Sequence, residues 1–207
     1  FRRVLFRSGA EGLAAYIRSE GITHLIDATH PFAARMSLNA ITACAATGTP
    51  LLAFERPAWV ATGADRWTHV PTTEAAARAL PDDPSRVFLA IGKQTLDAFA
   101  TKPQHHYLLR LVDPPEAPLP LPRATAIIAK GPFTAEGDEA LLRDHAITHI
   151  VAKNAGGTGA DAKLKAARTL QIPVIMIDRP AIPPRPVAET VAQVMAWLAA
   201  HSARLGV

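Results

Sequence analysis

The sequence predicts an α/β fold built on parallel sheets, and three observations carry that expectation. Short continuous apolar runs occur at residues 23–26, 51–54, 87–91, 126–128, 149–152 and 174–177, the pattern of strands buried on both faces of a parallel sheet. Alanine-rich stretches with helical spacing alternate with them, at 33–46, 74–80, 135–143, 160–170 and 187–200, and strand-helix alternation defines the class. The 18 prolines fall mostly between these segments, so they mark element boundaries.

In chain order, the first apolar run leads into Asp27-Ala28-Thr29-His30-Pro31-Phe32-Ala33, where Pro31 suits the first turn of a helix. A helix and the Thr49-Pro50 step then bring in the strand at 51–54. After the short helix at 74–80, Pro81-Asp82-Asp83-Pro84-Ser85 breaks the pattern. The strand at 87–91 ends at Gly92-Lys93-Gln94-Thr95, which opens a helix, and His105-His106 lie on a further strand. The run at 126–128 leads to Lys130-Gly131-Pro132-Phe133-Thr134, with Thr134 placed to cap the helix that follows. The run at 149–152 ends in Lys153-Asn154-Ala155-Gly156-Gly157-Thr158-Gly159.

Two of these stretches look like copies of one unit. Residues 22–59 and 147–182 both read Ile-Thr-His, an apolar pair, a loop, an alanine-rich helix, a proline, a strand and then an acidic residue with Arg-Pro-Ala. Ile22 lies 34 positions before Arg56 and Ile147 lies 32 before Arg179, and self-similarity at such a distance suggests related halves. The expected organisation is two small doubly wound lobes with a cleft between them: residues 1–84 as an N-terminal lobe, 85–183 as a second lobe and 184–207 as a C-terminal helix.

Composition narrows the function classes. With 49% hydrophobic and 19% charged residues in 207, disorder is excluded. No apolar run reaches the length of a membrane span, and no secretory pattern opens the chain, so the expectation is a soluble, cytoplasmic protein with no membrane partner. The single cysteine, Cys44, sits among alanines and is expected in the core, which excludes an internal disulfide. The net charge of +4 includes Arg2, Arg3 and Arg7 in the first eight residues, and the remaining basic residues are scattered, so no nucleic-acid partner is expected. No histidine pair has metal-ligand spacing beside a carboxylate, His105 and His106 point to opposite faces of their strand, and no metal is expected. No serine sits in a Gly-x-Ser-x-Gly elbow.

In parallel sheets the loops that leave the C-terminal strand ends carry ligands, which fixes where to look. Thr29 and His30, with the N–H groups of their loop, suit an anion or a substrate edge, the plain alternative being that Asp27 or Thr29 caps the helix. Ser37 and Asn39 follow in that helix as ordinary polar residues on pattern alone. The three glycines of Gly156-Gly157-Thr158-Gly159 permit close approach of phosphates to backbone N–H groups, with Lys153 and Lys163 adding charge; a flexible surface loop is the alternative. Gly92 offers a similar approach. Arg56, Arg110, Lys130, Lys153 and Arg179 each stand at or just past a strand end, which favours a ligand bearing several carboxylates or phosphates.

At these loops the chain resembles the precorrin-6A reductase family of cobalamin biosynthesis, which includes the cobalt-precorrin-6A reductases. The resemblance is carried by Leu25-Ile26-Asp27-Ala28-Thr29-His30-Pro31-Phe32-Ala33 with Met36-Ser37-x-Asn39-Ala40, Glu55-Arg56-Pro57-x-Trp59, Ile91-Gly92-x-Gln94, Arg110-x-Val112-Asp113, Lys130-Gly131-Pro132-Phe133 and Lys153-Asn154-x-Gly156-Gly157. These run in the family's order from Gly9 to Pro180. The resemblance implies two Rossmann-like lobes around a cleft and an NADPH-dependent reduction of precorrin-6A or cobalt-precorrin-6A to the 6B form, by hydride transfer to a ring carbon. It also implies that Gly92, Gln94, Lys153, Asn154, Gly156 and Gly157 meet the cofactor. Thr29, His30, Ser37, Asn39, Arg56, Arg110 and Lys130 would meet the macrocycle, basic residues pairing with its acetate and propionate groups, and His30 would be the proton donor if one is used.

The chain departs from the family at its front. Members begin with a strand and a Gly-Gly-Thr type loop that this sequence lacks, so the first lobe is expected to be incomplete, and Phe1-Arg2-Arg3-Val4-Leu5-Phe6-Arg7-Ser8 reads as sequence foreign to the family. Ala155 stands where a serine is usual and Lys130 where an arginine is usual. Two other functions suit the same architecture: a two-lobed binding protein for an anionic small molecule, and a nucleotide-sugar transferase.

Overall fold

The computed structural model describes residues 9–202; the opening octapeptide read as foreign lies outside them. In chain order the elements are α1 (Gly9–Ser19), β1 (Leu25–Asp27), α2 (Ala34–Thr47), β2 (Leu51–Phe54), β3 (Trp67–Val70), α3 (Thr73–Ala79), β4 (Arg86–Ala90), a kinked 3-10 segment (Lys93–Thr101), β5 (His106–Leu111), β6 (Ala124–Ile128), α4 (Ala135–Asp144), β7 (His149–Lys153), α5 (Ala162–Thr169), β8 (Val174–Ile177), β9 (Val187–Ala188) and α6 (Val191–Ser202). Every strand pairing is parallel, and the predicted α/β class holds.

The chain divides into two units, the first comprising residues up to Pro57 together with those from Pro180 onward, the second Ala58–Arg179. This corrects the expected boundaries at 84 and 183. The Pro81 to Ser85 break joins α3 to β4 inside the second unit, because β3 pairs with β8 and brings α3 with it into that unit. The expected helix from 187 begins only at Val191, and Val187–Ala188 forms a strand beside β2. Two residues that follow Pro183-Pro184-Arg185-Pro186 carry no periodic signal, which is why sequence pattern missed this strand.

The first unit holds a three-stranded sheet in the order β1-β2-β9. Ala14 and Ile17 of α1 pack with Ala43 and Cys44 of α2, small side chains that let the two helices approach. Cys44 is buried as expected, and burial pushes its thiol up to about 11. Around Leu52 and Ala188, a second cluster gathers Val194, Trp197 and Leu198 of α6.

The second unit holds a six-stranded sheet in the order β3-β8-β7-β4-β5-β6. Its inner strands are buried on both faces, as their unbroken apolar runs predict. Alternation along the strands sends Phe88, Leu108, Ile150, Ala152 and Met176 into a core with Leu142 and Leu164 from the α4 and α5 side. Tyr107 points the other way, its hydroxyl donating to the Phe99 and Lys102 carbonyls at 3.1 and 2.9 Å and anchoring the 3-10 segment. Thr134 caps α4 as predicted, its hydroxyl accepting from the Gly137 N–H at 3.1 Å.

Candidate functional site

The strand order of the second unit determines where its loops converge. From β4 the chain runs to β5 and β6 on one side, and from β7 it runs to β8 on the other. Adjacent β4 and β7 therefore flank a topological switch point, and in open parallel sheets ligands bind outside the C-terminal ends of strands at that point. Gly92 follows β4 there, with φ +80, a conformation that favours glycine. Asn154 to Gly159 follows β7, and Gly156 and Gly157 are consecutive left-handed residues at φ +71 and +77.

The glycine loop is tied down from two directions. Asn154 is buried, its Oδ1 accepting from the Trp59 N–H at 2.8 Å and its Nδ2 donating to the Trp59 carbonyl at 3.0 Å. The Trp59 indole N–H donates to the Gly157 carbonyl at 2.7 Å. Across the loop, Arg179 donates to the carbonyls of Asn154 and Ala155 at 3.0 and 3.2 Å. A loop whose backbone is fastened in this way presents its remaining N–H groups in a fixed arrangement.

Beside the loop lies a hollow of about 190 Å³, lined by Phe88, Gly92, Arg110, Phe133, Asp138 and Lys163 among others. Arg110 and Asp138 form a two-point ion pair, with Nη2 to Oδ2 at 3.2 Å and a second bond between Nη1 and Oδ1. The guanidinium stacks 3.7 Å from the Phe133 ring centre and 5.3 Å from that of Phe88. Lys163 is 7% exposed, donates to the Ala160 carbonyl and lies 4.9 Å from the Trp59 ring centre. Burial, reinforced by Arg110 and opposed by Asp138 and Asp161, pulls its ammonium down to about 8. Burial also lowers Lys153.

The first unit gathers the other predicted residues. Asp27 at the end of β1 is buried and accepts from the Thr29 N–H at 3.1 Å and the Thr29 hydroxyl at 2.6 Å; the Ser37 hydroxyl stands 3.4 Å from that of Thr29. Arg185, from the segment before β9, bonds Glu55 and lies 3.7 Å from Asp27. Burial raises the Asp27 pKa, but hydrogen bonding from Ser37 and Thr29 and the nearby Arg185 charge outweigh it, leaving the carboxyl below its usual range. Neither Asp27 nor Thr29 caps α2, which starts after Ala33 with no side-chain cap. Pro31 lies in a turn closed by the Ala33 N–H on the His30 carbonyl at 2.7 Å, so the helix starts later than its proline suggests. His30 is exposed and its Nδ1 accepts from the Phe32 N–H at 3.2 Å. Thr29 and Asn39 line a hollow of about 660 Å³ with largely apolar walls from α1, β1 and α2. Arg56 is exposed just beyond β2.

The structure gives several of the expected site residues partners within the protein. Arg110, expected to meet the macrocycle, bonds Asp138 through both terminal nitrogens and lines the hollow. Asn154, expected to meet the cofactor, engages Trp59 with both ends of its amide and so positions the loop. Lys130 is largely exposed, 3.8 Å from Asp113, and Gln94 is exposed on the 3-10 segment. Sequence reasoning passed over Trp59 and Asp138 and gave Lys163 no special weight. The only signal for Trp59 was its place in the Glu-Arg-Pro-x-Trp stretch, and burial of a lysine in an alanine-rich helix has no sequence signature. Among the described residues, no group of three or more histidines, cysteines and carboxylates is placed to hold a metal ion, and no helix is long and apolar enough to cross a membrane.

Comparison with known proteins agrees with this geometry. The profile of the family described as Precorrin-6x reductase CbiJ/CobK matches residues 3–199. The precorrin-6A reductase of Rhodobacter capsulatus is 64% identical over 195 residues, covering 94% of this chain and 78% of the relative. That of Rhodococcus erythropolis is 43% identical over 191 residues, with 92% and 77% covered. The cobalt-precorrin-6A reductase of Priestia megaterium is 36% identical over 182 residues, with 83% and 71% covered. A solved structure titled CobK precorrin-6A reductase superposes with a TM-score of 0.92 at 64% identity, covering 93% of this chain and 79% of that one. With its parallel-sheet units, its switch-point loops and this extent of identity, the chain belongs to the precorrin-6x reductase CbiJ/CobK family of oxidoreductases.

Proposed function

We propose that this protein reduces precorrin-6A or its cobalt-containing counterpart to the 6B form with NADPH. The observation that carries the reading is the convergence of Gly92 and the fastened Lys153 to Gly157 loop on the β4–β7 switch point of the second unit. The donor set there suits an anionic dinucleotide: consecutive left-handed glycines with backbone N–H groups, a buried ammonium at Lys163, and no atom within 4 Å of where a Gly92 side chain would stand. Gly92, Gly156, Gly157 and Lys153 would hold the dinucleotide, which supplies a hydride when bound.

The remaining roles belong to the chain's own side chains. Asn154, Trp59 and Arg179 keep the glycine loop in one conformation, so its N–H groups need no reordering when a ligand arrives. Arg110 and Asp138 fix the floor of the hollow. In the first unit, Asp27 orients Thr29 through two hydrogen bonds, and Thr29, Ser37, Asn39 and His30 serve the macrocycle, with His30 holding the proton that a reduction of this kind consumes. Arg56 and Lys130 remain exposed cations suited to its carboxylates. The reading does not favour a non-reacting binding protein or a sugar transferase.

The test is direct. Titration with NADPH and NADH, followed by nicotinamide fluorescence, should show saturable binding with NADPH preferred, and anaerobic incubation with precorrin-6A should oxidise one NADPH per macrocycle. Absence of binding to either nucleotide would overturn the reading.

A further inference from the structure

The hollow of the second unit contains three ionisable side chains, buried Asp138 and Lys163 and partly buried Arg110, and only two of them neutralise each other. Arg110 and Asp138 close on one another, which leaves Lys163 as the odd charge. It is 7% exposed, bonds only a carbonyl, that of Ala160, and has no carboxylate in ion-pair contact among the described residues; the neighbouring Asp161 is engaged with Lys165 at 3.0 Å. A buried ammonium without a counter-charge is costly. Apart from Asp138, which is paired with Arg110, the walls around it, among them Phe88, Ala90 and Phe133, offer no acceptor side chain, while the space of about 190 Å³ is ample for one phosphate or carboxylate group. Gly92 lines the hollow, is exposed, and puts no side chain in the way.

We propose that Lys163 binds an anionic group of the ligand inside this hollow, either a phosphate of the dinucleotide or a carboxylate of the macrocycle. The proposal rests on the reading of the second unit as a ligand-binding unit. The Ala160 carbonyl takes one ammonium N–H and holds the side chain in place, and the other two remain for the anion. The charged groups that face Lys163 are Arg110 on β5, Asp138 on α4 and Asp161 just before α5. Burial is the largest influence and Arg110 acts with it, against the two carboxylates, to bring the lysine to about 8. An arriving anion supplies the missing counter-charge and favours the protonated lysine. Binding above this value is therefore accompanied by proton uptake, and affinity falls as pH rises through it.

Folding without ligand carries the opposite sign. The folded state holds this proton more weakly than the unfolded chain, so Lys163 costs stability below its folded pKa, and that cost disappears as pH rises from about 8 toward its ordinary value of 10.5. Lys163→Met should accordingly raise the thermal midpoint at about pH 7 while weakening ligand binding, a pairing that a purely structural lysine would not produce.

The experiment measures the wild type, Lys163→Met and Lys163→Arg by calorimetric titration with NADPH, with uroporphyrin as a non-reducible tetrapyrrole polycarboxylate, and with inorganic phosphate by its effect on the thermal midpoint, from about pH 6.5 to 9.5. If the anion is a phosphate, the Met variant binds NADPH at least tenfold more weakly, loses the phosphate-dependent rise in midpoint and no longer shows weakening above pH 8, while uroporphyrin is unaffected. If it is a carboxylate, the same losses appear with uroporphyrin and not with NADPH. Arg should recover part of the affinity, without the pH dependence. Unchanged affinity for both ligands in the Met variant, or a lowered midpoint with binding intact, would overturn the proposal while leaving NADPH binding by the wild type, and with it the functional reading, in place. Failure of the wild type to bind NADPH would sink that reading instead, and phosphate stabilisation lost in the Met variant would still support an anion site.

Discussion

The two look-alike segments make an instructive pair. One is β1, α2 and β2 in the first unit, the other β7, α5 and β8 in the second, and each is a parallel strand-helix-strand unit with a long loop at its first strand end. At that strand end the first has an acid, Asp27, and the second a base, Lys153; ten positions further on, each has a buried polar residue in its helix, Ser37 and Lys163. The first loop is held by its own side chains, Thr29 on Asp27 with Ser37 beside it and Arg185 supplying the counter-charge. The second is held through its backbone by Trp59 and Arg179. One scaffold thus supports a loop whose acid is met by Arg185 and a loop followed by a helix that buries Lys163 with no carboxylate in ion-pair contact among the described residues. The shared frame sets where a loop sits, and the side chains around it set how it is held.

The largest expected effect breaks the second copy's floor. Asp138→Ala leaves the largely enclosed Arg110 with no carboxylate, which should cost about 3 kcal/mol, read as a fall in the urea midpoint; a loss under about 1 kcal/mol would show that the pair is dispensable. Next, Trp59→Phe keeps an aromatic side chain but replaces the indole by a smaller ring without its N–H, stranding the Gly157 carbonyl at about 1 to 3 kcal/mol. It should weaken NADPH binding as well, since the glycine loop loses a tether, and unchanged affinity would mean that the loop is rigid without it.

The smallest effect tests the first copy through pH. The Asp27 carboxyl lies below its ordinary range when folded, so the stability it contributes is present above its unfolded pKa, about 3.9, and is lost as pH falls through the lower folded value. Asp27→Asn should flatten the acid limb of the midpoint-versus-pH curve, whereas Lys163→Met should remove the gain in midpoint that Lys163 contributes as pH rises above about 8. Equal acid limbs in wild type and Asp27→Asn would show that the Arg185 cluster does not hold this loop.

Much of the fold was legible because buried parallel strands and alanine-rich helices write themselves as local patterns: Leu51–Phe54 and Val174–Ile177 sit where their apolar runs placed them. The division into units was not, because it depends on partners distant in sequence. Val187 joins Ala53, and Trp67 joins Val174, and no local run announces either. The site shows the same split. Gly92, Gly156 and Gly157 were visible as glycines after strands, and the strand order brings their loops to one switch point. The commitments of Arg110 to Asp138 and of Asn154 to Trp59 were invisible, since a basic residue at a strand end looks the same whether it meets a ligand or a neighbour 28 positions away.

The central claim, that the switch point of the second unit receives the reduced dinucleotide, is tested most directly by amide chemical-shift mapping during titration with NADPH. The account predicts the largest shifts at Gly92, at Asn154 to Gly157 and around Lys163. Saturable shifts confined to residues of the first unit, with these amides unmoved, would contradict it.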